Sequence, residues 1–144
     1  MSQQDTVSLL RECDAGVKMG IASLDEVLDT IRSPRLKERL IRGKEEHESL
    51  RREIADALKQ LREPGKEPNA AAVSMSWIKT NVKIAVDRSD ATVADLMIGG
   101  CDMGVKSLSR YLNQYPAAEG FARSLARRLI AAEETLSRDL REYL

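Results

Sequence analysis

The sequence predicts an all-α protein: a four-helix bundle made of two related helical hairpins, with an extra short helix in the connection between them. Three observations predict it. Apolar residues recur every three or four positions through most of the chain, four prolines fall between those stretches, and a six-residue pattern near the start returns later. Spacing of this kind belongs to helices. The strict alternation of a strand and the Asn-Gly turn of a hairpin loop are both missing from the sequence.

The first helix is expected over about 6–32, with Leu10, Val17, Ile21, Leu24, Leu28 and Ile31 on one face and Asp5 or Thr6 as its cap. Ser33-Pro34 reads as an N-cap followed by a proline in the first helical turn, where its missing N–H does no harm. So short a break folds the next helix back as an antiparallel hairpin over 5–62. That second helix, about 34–62, carries Leu36, Leu40, His47, Leu50, Ile54, Leu58 and Leu61 inward. Its outer face is dense in Lys, Arg and Glu, with Glu48 four residues before Arg52 at a supportive spacing.

A polar linker, Glu63 to Asn69, opens a crossover that extends over 63–90, with proline and glycine supplying its turn. A shorter helix is expected there at about 70–86, with Val73, Trp77, Ile84 and Val86 as apolar contacts. Seventeen residues of helix span ~25 Å, about the length of the bundle. Asp87-Arg-Ser-Asp90 then breaks the chain, with Ser89 or Asp90 as the next cap. Two further helices, about 90–114 and 117–143, parted by Tyr115-Pro116, complete a second hairpin over 90–144. The whole of 1–144 is read as one domain.

The hairpins look duplicated. Cys13-Asp14-Ala15-Gly16-Val17-Lys18 returns as Cys101-Asp102-Met103-Gly104-Val105-Lys106, identical at five of six positions. Arg39-Leu40-Ile41 and Arg52-Glu53-Ile54 likewise return as Arg128-Leu129-Ile130 and Arg141-Glu142-Tyr143. Glycine in a helix interior is unfavourable by ~1 kcal/mol, so Gly16 and Gly104 are expected to let the first and fourth predicted helices approach closely. Asp14 and Asp102 would then lie near the middle of the bundle, or each would simply bond a neighbouring lysine or solvent. Two hairpins joined by one long crossover have the topology of ferritin-like bundles.

The composition narrows the function. The chain is 42% apolar, 32% charged and 3% aromatic, with 23 basic residues against 23 acidic. That balance gives no general drive toward nucleic acid or an anionic membrane, and no uncharged apolar run reaches the ~18 residues of a membrane span. The start lacks a signal-peptide pattern, and Cys13 and Cys101 belong to no metal or redox motif, which places the protein in the cytoplasm with two buried thiols. Gly99-Gly100 has no following Lys-Ser/Thr for a phosphate loop, and the lone histidine has no nucleophile context for a triad. Trp77, Tyr111, Tyr115, Phe121 and Tyr143 are read as closing the bundle ends, or in part as an oligomer contact.

The Cys-Asp-x-Gly stretches at 13–16 and 101–104, Trp77 with Asn81-Val-Lys83, and the Asp-x-Ser-Asp break at 87–90 carry a resemblance. In this order they resemble an uncharacterised bacterial family of ferritin-like four-helix bundles, a domain of unknown function. The resemblance spans most of the chain. It implies the bundle fold and no particular reaction.

Ferritin-like carboxylate enzymes use a Glu from each of two helices and Glu-x-x-His from each of the other two. Here Lys44 stands three residues before His47, and the last helix has Glu133-Glu134 without a histidine. His47 falls opposite Leu136 in the repeat, as a core residue would. The expected function is therefore a non-catalytic bundle, working through self-association or a protein partner and without a cofactor. The alternative is a metal-binding oxidoreductase or storage protein, holding iron or manganese with His47, Glu46, Asp14, Asp102 and Glu133 as a non-standard ligand set.

Overall fold

Each of the expected helices within the described residues forms, and serine side chains start two of them. The structure, a computed structural model, describes residues 2–68 and 89–144; the short helix expected at 70–86, with Trp77, lies outside the described residues. Among the described residues there are four α-helices and no strand: α1 (Ser2–Leu28), α2 (Pro34–Gln60), α3 (Asp90–Gln114) and α4 (Gly120–Leu140), followed by a 3-10 turn at Arg141–Tyr143. The Ser33 hydroxyl accepts from the Leu36 N–H at 3.2 Å with Pro34 in the first turn, as the sequence predicts. Ser89 does the same for the Thr92 N–H at 3.2 Å.

The apolar stripes meet in two clusters. One joins Leu9, Leu10 and Val17 of α1, Leu50 and Ile54 of α2, Leu108 of α3 and Leu125 and Leu129 of α4. The other joins Leu24 and Val27, Leu36 and Leu40, Val93 and Met97, and Leu136 and Leu140. Cluster membership gives the directions: α1 and α4 run one way, α2 and α3 the other. The end of α2 and the start of α3 therefore lie at opposite ends of the bundle. Helices α1 and α2 pack as one hairpin and α3 and α4 as another, with α1 against α3 and α4, and α2 against α4.

Helix ends that share an end of the bundle tie one another down. Asp5 and Thr6 do not cap α1, which begins earlier at Ser2. Instead Asp5 Oδ2 accepts from the Ala117 N–H at 3.0 Å and Thr6 Oγ1 from the Glu119 N–H at 2.8 Å, so two side chains of α1 hold the turn before α4. Arg123 donates to the Leu112 and Tyr115 carbonyls at 3.0 and 3.1 Å, occupying acceptors at the end of α3. At the other end the Asp90 carboxylate accepts from the Arg32 and Ser33 N–H groups, both at 2.9 Å.

The linker after α2 turns by a different device from the one expected. Arg62, not a glycine, takes the left-handed conformation (φ 58°). Its N–H bonds Lys59 O at 3.0 Å and the Glu63 N–H bonds Leu58 O at 2.9 Å, the paired bonds of a Schellman cap. Gly65 is needed for close approach, because a Cβ there would lie 2.5 Å from Asp14 Oδ2. Asp14 itself is buried in α1; it accepts from the Lys66 N–H at 2.9 Å and pairs with Lys18 Nζ at 2.8 Å. Lys66 Nζ in turn reaches Glu12.

Charge is not confined to the outer faces. Arg39 is buried against α4, with Nε 2.7 Å from Asp139 Oδ2. Glu48 pairs with Arg51 at 3.6 Å, three residues on, in place of the pairing with Arg52 that the sequence suggests. Tyr111 and Tyr115 stack at 6.5 Å near the first cluster and Tyr143 packs on the second, while Phe121 is largely exposed. No helix among the described residues is long and apolar enough to cross a membrane.

Two substitutions test the account of the linker. Arg62→Gly should raise stability by up to ~1 kcal/mol, since left-handed backbone is strained for arginine and free for glycine; an unchanged or lower urea midpoint would contradict it. Gly65→Ala should lower stability by ~1–3 kcal/mol, because the new methyl meets a buried carboxylate that is already held by two donors.

Candidate functional site

The two apolar clusters stop short of each other, and the gap is polar. At that level α1 contributes Gly20, α2 His47, α3 Gly104 and α4 Glu133. His47 is 1% exposed and Glu133 7%. His47 Nε2 lies 2.7 Å from Glu133 Oε1, and Nδ1 lies 2.7 Å from the Gly43 carbonyl oxygen one turn back on its own helix. A carbonyl only accepts, so Nδ1 carries a hydrogen and donates it.

Glycine makes the room. A Cβ at Gly20 would lie 2.9 Å from His47 Cδ2 and 3.5 Å from Glu133 Oε1. A Cβ at Gly104 would stand 3.5 Å from the Glu133 carboxyl group, in ordinary contact. Gly16, its counterpart in the repeat, faces open space with nothing within 4 Å. The close approach of α1 and α3 expected at both glycines is therefore seen at neither: Gly16 lies on the exposed side of α1, and Gly104 faces the Glu133 side chain of α4.

The charges at the site follow from burial and pairing. Burial pulls His47 down, but the hydrogen bond and charge of Glu133, the Gly43 carbonyl and the charge of Glu46 outweigh it, and the net shift is upward. Cys101 of α3 is buried near Glu133; burial first, then the Glu133 charge, push its thiol up. Cys13, in the first cluster, is pushed up to about 12 by burial and by Glu12 and Asp14. Neither thiol has the lowered pKa of a reactive cysteine.

Of the five residues expected to converge, the structure brings together two. His47 and Glu133 face each other. Glu46 is exposed, 3.9 Å from Arg39 Nη1. Asp14 is engaged by Lys18 and the linker, and Asp102 accepts from the Ser137 hydroxyl at 3.0 Å on the α3/α4 surface. No three His, Cys, Asp or Glu side chains among the described residues form a group able to hold a metal ion. The dinuclear carboxylate centre does not fit this donor set: both His47 nitrogens are engaged, Lys44 replaces the required glutamate, and Lys44 pairs with Asp25 at 2.5 Å.

Among the described residues, two of the surface grooves are lined without His47 or Glu133. One, about 410 Å³, runs past Leu28, Ile41, Lys44 and Arg52; the other, about 390 Å³, past Asp102, Lys106, Ser137 and Arg141. Comparison of the chain with family models, with curated proteins and with solved structures finds no match.

Sequence reasoning did not anticipate Gly20, Gly43, Cys101 or Arg39 at this level. A partial signal was present: the stripe of α2 is interrupted by His47 between Leu40 and Leu50, and that of α4 by Glu133 between Leu129 and Leu136.

The glycines provide a paired test. Gly20→Ala should destabilise by ~1–3 kcal/mol, since His47 is held at both nitrogens and its ring cannot swing aside. Gly16→Ala should instead stabilise by up to ~1 kcal/mol through helix propensity. Equal melting shifts for the two variants would show that the pair does not depend on the room Gly20 leaves.

Proposed function

We propose that this chain is a non-catalytic, cytoplasmic, ferritin-like bundle of two duplicated hairpins that acts through self-association or a protein partner. One observation carries the reading: among the described residues, the buried histidine and the glutamate facing it are closed on each other. His47 has both ring nitrogens occupied and, with Glu133, lies out of reach of a substrate. The surface offers apolar side chains instead, with Met103 72% exposed and Phe121 and Ile41 also presented to solvent.

The helix directions support the ferritin-like part of the reading, because the connection from α2 to α3 has to join opposite ends of the bundle. Duplication is supported by Arg39 and Arg128, which match in the repeat and each cross from one of α2 and α4 to the other. Arg39 pairs with Asp139, and Arg128 forks onto Glu53 at 2.9 and 2.7 Å. Asp14 and Asp102, which also match, bond different groups.

Light scattering on protein purified without an affinity tag, together with elemental analysis after supplying iron, manganese and zinc, tests the reading. The expected result is a mass at a multiple of 16.0 kDa, or a co-purifying protein, with no stoichiometric metal. A monomer that binds stoichiometric iron or manganese, and loses it on His47→Ala, would overturn the reading in favour of the metal-binding alternative.

A further inference from the structure

The contact between His47 and Glu133 has a requirement that neither residue meets alone. Nδ1 must donate to Gly43, so its hydrogen is committed. At 2.7 Å, Nε2 and Glu133 Oε1 attract only if a proton lies between them; without it a ring lone pair faces an anion. Water is too scarce at this depth to screen that repulsion. The ring is held on its other side by the Nδ1 bond to the Gly43 carbonyl and lies close against Gly20 of α1.

We propose that this layer is a proton-operated latch: one proton held between His47 of α2 and Glu133 of α4 joins the two helices across the core, and its loss as the pH rises loosens that seam. The groups around it do not supply the proton's charge in another way. On α2, Glu46 adds negative charge, and Arg39 bonds Asp139 through Nε while its buried Nη1 has no hydrogen-bond partner among the described residues. On α3, Cys101 remains a thiol and Asp102 is turned to Ser137. On α4 the partner is Glu133 itself, and α1 presents Gly20, which does not titrate.

The sign follows from the raised folded-state value of His47. Below the unfolded value of about 6.5 the stabilisation is fully present, and it is lost as pH rises through the higher folded value. The latch therefore opens on the alkaline side.

Because His47 is the only histidine, its ring signals in an NMR spectrum are unambiguous. Ring nitrogen shifts and the urea midpoint should be followed from about pH 5 to about pH 9, in the wild type and in Glu133→Gln. The amide of the variant can donate to a neutral ring without a titrating proton. The expected result is a wild-type ring protonated at both nitrogens at neutral pH, with a midpoint that falls toward alkaline pH; in the variant that fall is lost. A neutral wild-type ring at pH 7, or the same alkaline fall in both proteins, would overturn the proposal. Should the variant not fold, the wild-type ring titration decides alone.

Discussion

The hydrogen bond between His47 Nε2 and Glu133 Oε1 is the constraint around which the bundle is arranged. Removing two ionisable groups from water is unfavourable by several kcal/mol each, and only close pairing offsets it. That need reaches all four helices. Glycine stands on α1 and α3 where a larger side chain would press on the pair, and the carbonyl of Gly43 holds the far side of the ring. The apolar clusters occupy what remains on either side.

Such a layer specifies register more than it adds stability. Sliding α2 one turn along α4 would place His47 against Leu129 or Leu136 and bury an unpaired imidazole. The native alignment is reinforced along the same seam by Arg39 with Asp139, and at its exposed ends by Arg128 with Glu53 and Arg35 with Glu142. The exposed pairs contribute little energy but agree on the same register.

A second consequence of the helix directions is that chain ends of different helices meet and satisfy one another. Because α1 and α4 start at the same end, Asp5 and Thr6 serve the turn before α4 and not their own helix. Asp14 shows the same logic in the linker. Its sequence match, Asp102, has identical flanking residues apart from Met103, yet one carboxylate is buried on a backbone amide and the other is exposed on a serine hydroxyl. Identical local sequence did not produce identical use, because the groups that reach each position come from elsewhere in the chain.

The four described helices and the Ser33 and Ser89 caps were legible in the sequence, since periodicity, proline and capping act over three or four residues, whereas the turn at Arg62 was not. The inward direction of His47 was legible for the same reason. Glu133 was one of four acidic candidates named beside His47, but nothing local singled it out from Glu46, Asp14 and Asp102, because it lies 86 positions away and only packing brings it to the ring. Nor could local propensity distinguish Gly20, pressed against a histidine ring, from Gly16, which faces solvent. By itself the sequence determined an all-helical chain with its breaks and apolar stripes. Only the tertiary structure decided which polar groups meet, because burial and pairing depend on neighbours that packing brings together, and with them the charge state of the one histidine.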